Sequence, residues 1–236
     1  MKNILVVDVG GTNVKVSMSE AKPSLKIPSG KSMTAALMAA AVRKAVDGWE
    51  YDAVSVGYPG IVREGRPAHE PHNLSGGWRR FDFEKAFGAP VKIVNDAAMQ
   101  ALGSYQGGKM LFLGLGTGLG STLIVDGVIV PMELAHLPYR KATFEDYVGE
   151  RALERDGKKK WRKHVADVVA RLVAAFEPDE VVLGGGNSRN LADLPPRSRL
   201  GNNADAFPGG FRLWEQATAP KTARRKPAPS RKAKGR

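Results

Sequence analysis

Asp8 closes the apolar run Ile4-Leu5-Val6-Val7, and Gly10-Gly11 follows before the chain resumes as Thr12-Asn13-Val14-Lys15. A carboxylate at a strand end beside two glycines suits a metal–phosphate site. Glycine lets backbone N–H groups approach an anion closely, and the aspartate can hold Mg2+ through water. The same Asp-x-Gly-Gly pattern also makes an ordinary hairpin turn, so the residues alone leave both readings open. A second stretch, Gly114-Leu-Gly-Thr-Gly-Leu-Gly-Ser121, alternates glycine with other residues and carries the Thr117 and Ser121 hydroxyls, as a phosphate cradle would. A third, Gly184-Gly185-Gly186, precedes Asn187-Ser188 as a helix start and offers N–H groups to an anion or a nucleobase. None of these is a Walker or Rossmann loop, because none of the three runs leads into Gly-Lys-Ser/Thr (the chain's Gly30-Lys31-Ser32 lies apart from them and lacks the earlier Walker glycine) and the first two glycine runs do not open a helix.

The remaining chemistry-bearing residues have plainer alternatives. Asp96 stands where a strand gives way to a helix. It either caps that helix or faces the cleft at the carboxyl end of the strand, and on the residues alone the cap is the simpler reading. Glu133 and His136 lie on a loop, where a solvated charge and a surface histidine need no further role. Asn73 and Trp78 sit in the Gly/Pro-rich segment 63–80, a composition often found in functional loops, and the tryptophan itself reads as packing.

The elements that must position these residues follow from periodicity. Short β-branched runs predict strands over 4–7, 12–18, 25–27, 52–58, 91–94, 109–115, 122–125, 128–130 and 180–183, with 61–62 as a short continuation. Helical spacing predicts helices over 33–46, 81–87, 97–105, 144–153 and 161–176, with Thr34 in the first turn of the first. Lys158 to Lys160 reads as a solvated helix start. The mixture is an α/β arrangement. A strand–glycine–strand unit occurs twice, at the start and in the middle, and two such hairpins facing each other would grip a phosphate chain from both sides.

At 236 residues the chain can bury a core as one large domain or two small ones. It contains no cysteine, which excludes disulfides, thiolate zinc sites and cysteine nucleophiles and makes a cytoplasmic location the expectation. No apolar run is long enough to span a bilayer, and a strand beginning at residue 3 leaves no room for a signal peptide. The net charge is +12, but eight Lys/Arg with no acidic residue fall between Thr218 and Arg236, which leaves +4 on the rest. That Pro- and Ala-rich tail, 218–236, reads as disordered. It is either simply solvated or a contact for nucleic acid, anionic lipid or a polyanionic substrate.

Taken together the motifs resemble the ROK family of sugar kinases and repressors, over roughly residues 3–216. The resemblance implies a two-lobed, actin-like (ribonuclease H-like) ATPase fold with its site in the interlobe cleft. Lobes are expected over 1–105 and 106–217, with the split near Asn95–Tyr105 and a return from the last helix. Asp8-Val-Gly10-Gly11-Thr12-Asn13, with Lys15 beyond, is similar to the family's first phosphate motif. Gly116-Thr117-Gly118 belongs to the second, and Gly184-Gly185-Gly186 to the late motif that lies against adenosine. Pro59-Gly60 and His72-Asn73-Leu74-Ser-Gly-Gly-Trp78 resemble sugar-side loops. Val94-Asn95-Asp96 resembles the segment with the catalytic base, and Glu133-Leu-Ala-His136 a sugar motif with Ala135 at the glycine position.

The resemblance implies that Asp96 accepts the proton of the sugar 6-hydroxyl, while Gly60, Asn73, Asn95, Glu133, His136 and Glu145 bind sugar. Asp8 would place Mg2+. Most of the family carries a cysteine-rich zinc motif after the histidine, ending in a glutamate that also binds sugar. Here Leu137 to Tyr147 has no cysteine, no zinc is expected, and Glu145 aligns with that glutamate. Short zinc-free members resemble polyphosphate glucokinases. The expectation is therefore an Mg2+-dependent glucokinase using inorganic polyphosphate and/or ATP, as a homodimer. The alternatives are a strictly ATP-dependent or other hexose kinase and a non-catalytic sugar sensor.

Overall fold

The structure is a computed structural model, and it describes residues 3–18 and 24–215. The basic tail expected over 218–236 lies outside the described residues. The chain runs β1 (Ile4–Val9), β2 (Asn13–Ser17), β3 (Leu25–Pro28), α1 (Ala35–Ala45), β4 (Ala53–Tyr58), β5 (Val62–Arg63), β6 (Arg66–Pro67), α2 (Phe83–Phe87) and β7 (Val91–Asn95). It continues through α3 (Asp96–Ser104), β8 (Lys109–Leu115), β9 (Leu119–Val125), β10 (Val128–Met132), β11 (Pro138–Tyr139), β12 (Ala142–Thr143), α4 (Glu145–Val148) and α5 (Glu150–Phe176). The last elements are β13 (Glu180–Gly184), β14 (Ser198–Leu200) and α6 (Ala206–Glu215), with single 3-10 turns at Ser188–Asn190 and Asn203–Asp205.

Two five-stranded sheets share one topology. The first has the order β3-β2-β1-β4-β7 and the second β10-β9-β8-β13-β14. In each, a three-strand antiparallel meander is extended by two parallel strands. The strand–glycine–strand echo in the sequence is thus part of a repeat that spans the whole sheet. β1 and β4 are buried almost throughout, which is why they read as unbroken apolar runs rather than alternating ones.

Helix α3 lies between the sheets. Ala97, Ala101 and Leu102 pack on Met110, Phe112, Ile124 and Val182 of the second sheet, while Met99 packs on Ile4, Val6 and Ala53 of the first. Helix α6 returns to the first sheet. Ser55 donates to Gly210 O at 2.6 Å, Trp214 Nε1 donates to Ser55 Oγ at 2.9 Å, and Gly210 sits on Val6. The two helices touch through backbone: a side chain on Gly103 would meet Asp205 O, and one on Gly209 would meet Met99 O.

The structure departs from the periodicity in three places. The single helix expected over 144–153 is two, because Gly149 is extended (φ −73°, ψ 174°). No Cβ fits there, since Glu145 O and Thr117 O each lie 2.9 Å from where it would stand. Helix α5 runs on to Phe176 with one non-helical residue, Gly157, just ahead of the Lys158–Lys160 run. After Gly186 there is no regular helix, only the 3-10 turn Ser188–Asn190 with no side-chain cap from Asn187. Trp78 is fully buried against Tyr58 and Phe83, and its Nε1 donates to Ser75 O at 2.8 Å, so it is packing. Thr34 caps α1 by accepting from Leu37 N. No helix among the described residues is long and apolar enough to cross a membrane.

Candidate active site

Each sheet presents a glycine turn between its two central antiparallel strands. In the first, Gly10 N donates to Asn13 O at 3.0 Å, and the turn is pinned from outside by Ser29 Oγ on Gly10 O at 2.6 Å. Gly11 and Thr12 are exposed at its tip and Asn13 is half-buried. Asn73 Cβ would lie 3.2 Å from a Cβ on Gly11, so the 63–80 segment abuts this turn. Asp8, opposite Lys15 in the ladder, accepts from Lys15 Nζ at 3.1 Å. Burial raises the Asp8 carboxyl above the usual range, and the Lys15 charge works against that rise.

The second turn is only Gly116-Thr117-Gly118, with Gly116 N on Gly118 O at 3.1 Å. Gly114 and Gly120 are ladder partners rather than loop residues. Gly120 is glycine because α3 lies against it: a Cβ there would stand 2.9 Å from Ala97 Cβ. That contact sets the start of α3, and hence Asp96, next to the turn. Ser121 is not in the cradle, since its hydroxyl donates to Met132 O at 2.8 Å and accepts from Leu134 N at 3.1 Å. Thr117 Oγ1 lies 3.5 Å from Glu150 Oε2, and Glu150 N donates to Gly116 O at 3.0 Å.

The late glycines back onto the second turn. Gly184 ends β13 against the Phe112 ring, and Gly185 has φ +80° with Leu115 backbone where a Cβ would be. Gly186 faces open space. Asn187 Nδ2 donates to Gly116 O at 3.1 Å.

Asp96 does not cap its helix in the usual way. The cap is Asn95, whose Oδ1 accepts from Ala98 N at 3.2 Å while its Nδ2 donates to Gly60 O at 3.1 Å. Asn95 therefore ties Pro59-Gly60 to α3 and frees Asp96 from the capping role, while Asp96 accepts from Ala97 N at 2.8 Å. Burial is the main reason the Asp96 carboxyl is pushed up to about 7, and the Asp8 charge adds to it. Backbone N–H bonds oppose the rise, and Glu133 contributes a smaller push. Asp8, Asp96 and Glu133, from β1, α3 and the segment after β10, thus converge electrostatically. His136 is exposed, and its charge acts on Asp146.

Segment 133–148 is held from both ends. Glu145 N donates to Ala135 O at 3.0 Å, and the Glu145 carboxylate lies over Gly118, accepting from Leu119 N at 3.3 Å. Ala135, in the glycine position of the sugar motif, is buried in the second core. Where a cysteine-rich motif would fall, Tyr139 OH donates to Asp167 Oδ2 at 2.7 Å and meets His164 Nδ1 at 3.1 Å, with the Tyr147 ring edge-on to it and the Phe144 ring tilted against it. The Tyr139 proton goes to the carboxylate, so the imidazole donates from Nδ1. His164 is held below its ordinary range, first by burial and then by Arg140. This brace was not anticipated. Its signal was the spacing of His164 and Asp167, one turn apart on a single helix face.

Two sheets of equal topology, a glycine turn in each and a carboxylate-bearing helix between them define the actin-like ATPase fold. The chain belongs to the ROK family, which it matches over residues 4–131. It is 27% identical over 212 residues to a polyphosphate glucokinase of Mycobacterium tuberculosis (strain CDC 1551 / Oshkosh), covering 80% of each chain. It is 26% identical over 251 residues to a glucokinase of Pyrobaculum calidifontis, covering 84% of this chain and 83% of that one. Among solved structures it is similar to an inorganic polyphosphate/ATP-glucomannokinase from Arthrobacter sp. strain KM, with a TM-score of 0.76 and 26% identity over 92% of this chain and 100% of that one.

Proposed function

We propose that this protein is a sugar kinase that moves a phosphoryl group from inorganic polyphosphate and/or ATP to the 6-hydroxyl of glucose. The observation that carries the reading is Asp96: a cleft carboxylate, free of capping duty, poised near neutrality beside a glycine turn of the second sheet. The names of the relatives support the acceptor and the donor class.

Phosphoryl transfer asks the protein mainly for positioning and charge neutralisation. Asp96 takes the proton from the sugar hydroxyl as that oxygen attacks the terminal phosphorus and the bridging bond to the donor breaks. The first turn, Gly10 to Asn13, and the second, Gly116 to Gly118, hold the donor phosphates, with Lys15 adding positive charge. Asn73, Glu133, His136 and Glu145 contact the acceptor, and Asn95 orients Gly60. Among the described residues no three His, Cys, Asp or Glu side chains gather into a metal cage. Asp8, near the end of β1 beside the first glycine turn, would be the protein carboxylate for Mg2+, an ion usually held by one or two carboxylates with phosphates and water. Magnesium there supplies charge neutralisation on the phosphates. The lobes are proposed as 1–105 and 106–217, with α6 crossing back to the first.

The test is glucose 6-phosphate formation with Mg2+ and either ATP or polyphosphate, beside Asp96→Asn. Turnover that falls by roughly 100-fold or more in the variant, the scale of a lost general base, supports the reading. Turnover with ATP alone discards the polyphosphate part. No turnover on glucose or mannose with either donor sinks the kinase reading.

A further inference from the structure

We infer that Glu145 makes the donor turn answer to the acceptor: its carboxylate covers the second glycine turn until a bound sugar draws it away. The inference rests on the sugar kinase reading and concerns the order in which that site is filled.

Glu145 sits between the two halves of the site. Its N–H is committed to Ala135 O, inside the Glu133–His136 segment on the acceptor side. Its side chain reaches the other way and lies on Gly118, where a Cβ would collide with the carboxylate. One oxygen accepts from Leu119 N, at the end of the turn that would hold the donor phosphates. A phosphate oxygen needs that same N–H, and two anions do not share one donor. The carboxylate is weakly held: its bond is long at 3.3 Å, and among the described residues no Lys or Arg forms an ion pair with it.

The chemistry of the two ligands decides which of them can move it. A phosphate chain repels the carboxylate and offers it no hydrogen. A sugar presents hydroxyl donors, and a charged acceptor makes the stronger bond with them. Because the backbone of Glu145 is fixed to the acceptor segment, a rotation about its own side-chain bonds suffices to transfer the carboxylate. Sugar binding then uncovers Leu119 N and Gly118 together and removes a negative charge from the donor path. Donor without acceptor meets a closed turn, which disfavours phosphoryl transfer to water.

The measurement is calorimetric binding of tripolyphosphate to the full chain, with and without saturating 6-deoxyglucose, an acceptor lacking the reacting hydroxyl. In the wild type the sugar should tighten tripolyphosphate by roughly tenfold, a typical coupling between two sites. Glu145→Gln, which keeps the shape and loses the charge, should bind tripolyphosphate without sugar about as tightly as the wild type does with it. Thermal melts of the variant establish that it folds. If 6-deoxyglucose binds and tripolyphosphate affinity does not change, the inference is overturned and the kinase reading stands. If Glu145→Gln keeps the wild-type sugar dependence, it is likewise overturned. If neither glucose nor 6-deoxyglucose binds, the kinase reading falls and takes the inference with it.

Discussion

At the scale of single residues, Asp96 sets the pH behaviour of the whole site. A carboxylate pushed up to about 7 is half-ionised at neutrality, and only the ionised form accepts a proton. The turnover number should therefore rise with pH through a limb near 7 and level off above it, a shape that Asp96→Asn should lack. Stability runs the other way. A carboxyl raised in the folded state favours folding while it is protonated, and that contribution is lost as pH climbs from the unfolded value of 3.8 towards about 7. The melting temperature of Asp96→Asn relative to wild type should increase from pH 4 to pH 7.5. On the residues alone the cap is the simpler reading for Asp96, and only the family resemblance points to the base. Asn and Asp cap equally well, and only the bond from Ala98 N to Asn95 assigns the cap.

At the scale of elements, the segment 133–148 has little regular structure of its own, and its placement is borrowed from α5. Tyr139 links it to Asp167 and His164, and Trp161 Nε1 donates to Val148 O at 2.8 Å. Tyr139→Phe keeps the aromatic contacts and removes the hydroxyl, leaving His164 Nδ1 buried without a partner. The expected loss is about 1–3 kcal/mol, read as a lower denaturation midpoint in urea with an unchanged slope. The strands and long helices were legible because their burial is periodic or continuous. The break at Gly149 was not, because helical spacing runs through Phe144 to Leu153, and the packing that leaves no room for a Cβ at Gly149 includes Thr117 O, brought there by the second sheet. Likewise four alternating glycines read as one cradle. In the fold they divide into a three-residue turn and two ladder positions, of which Gly120 exists for the sake of Ala97.

At the scale of the molecule, the two sheets are coupled through the contact of α3 with α6, where backbone meets backbone. Gly209→Ala places a methyl against Met99 O, and the helices must part to admit it. Overpacking of this kind costs about 1–3 kcal/mol. Because α3 carries Asp96, turnover should fall together with the melting temperature, and a variant that melts like wild type would refute the close contact. The repeated hairpin was visible in the sequence as two glycine runs after apolar strands. The partnership of α3 and α6 was not, because no local pattern announces that residues a hundred positions apart will meet. That distance has a consequence for how the protein is made. Ser55 and Gly210 bond across 155 positions, and Gly210 also covers Val6 of the first strand. A nascent chain on the ribosome can thread the first sheet early, and Met99 of α3 covers part of the apolar face around Val6, yet the part that Gly210 covers stays bare until α6 has emerged. Val6 waits for Gly210, and a truncation just before residue 206 would strand it.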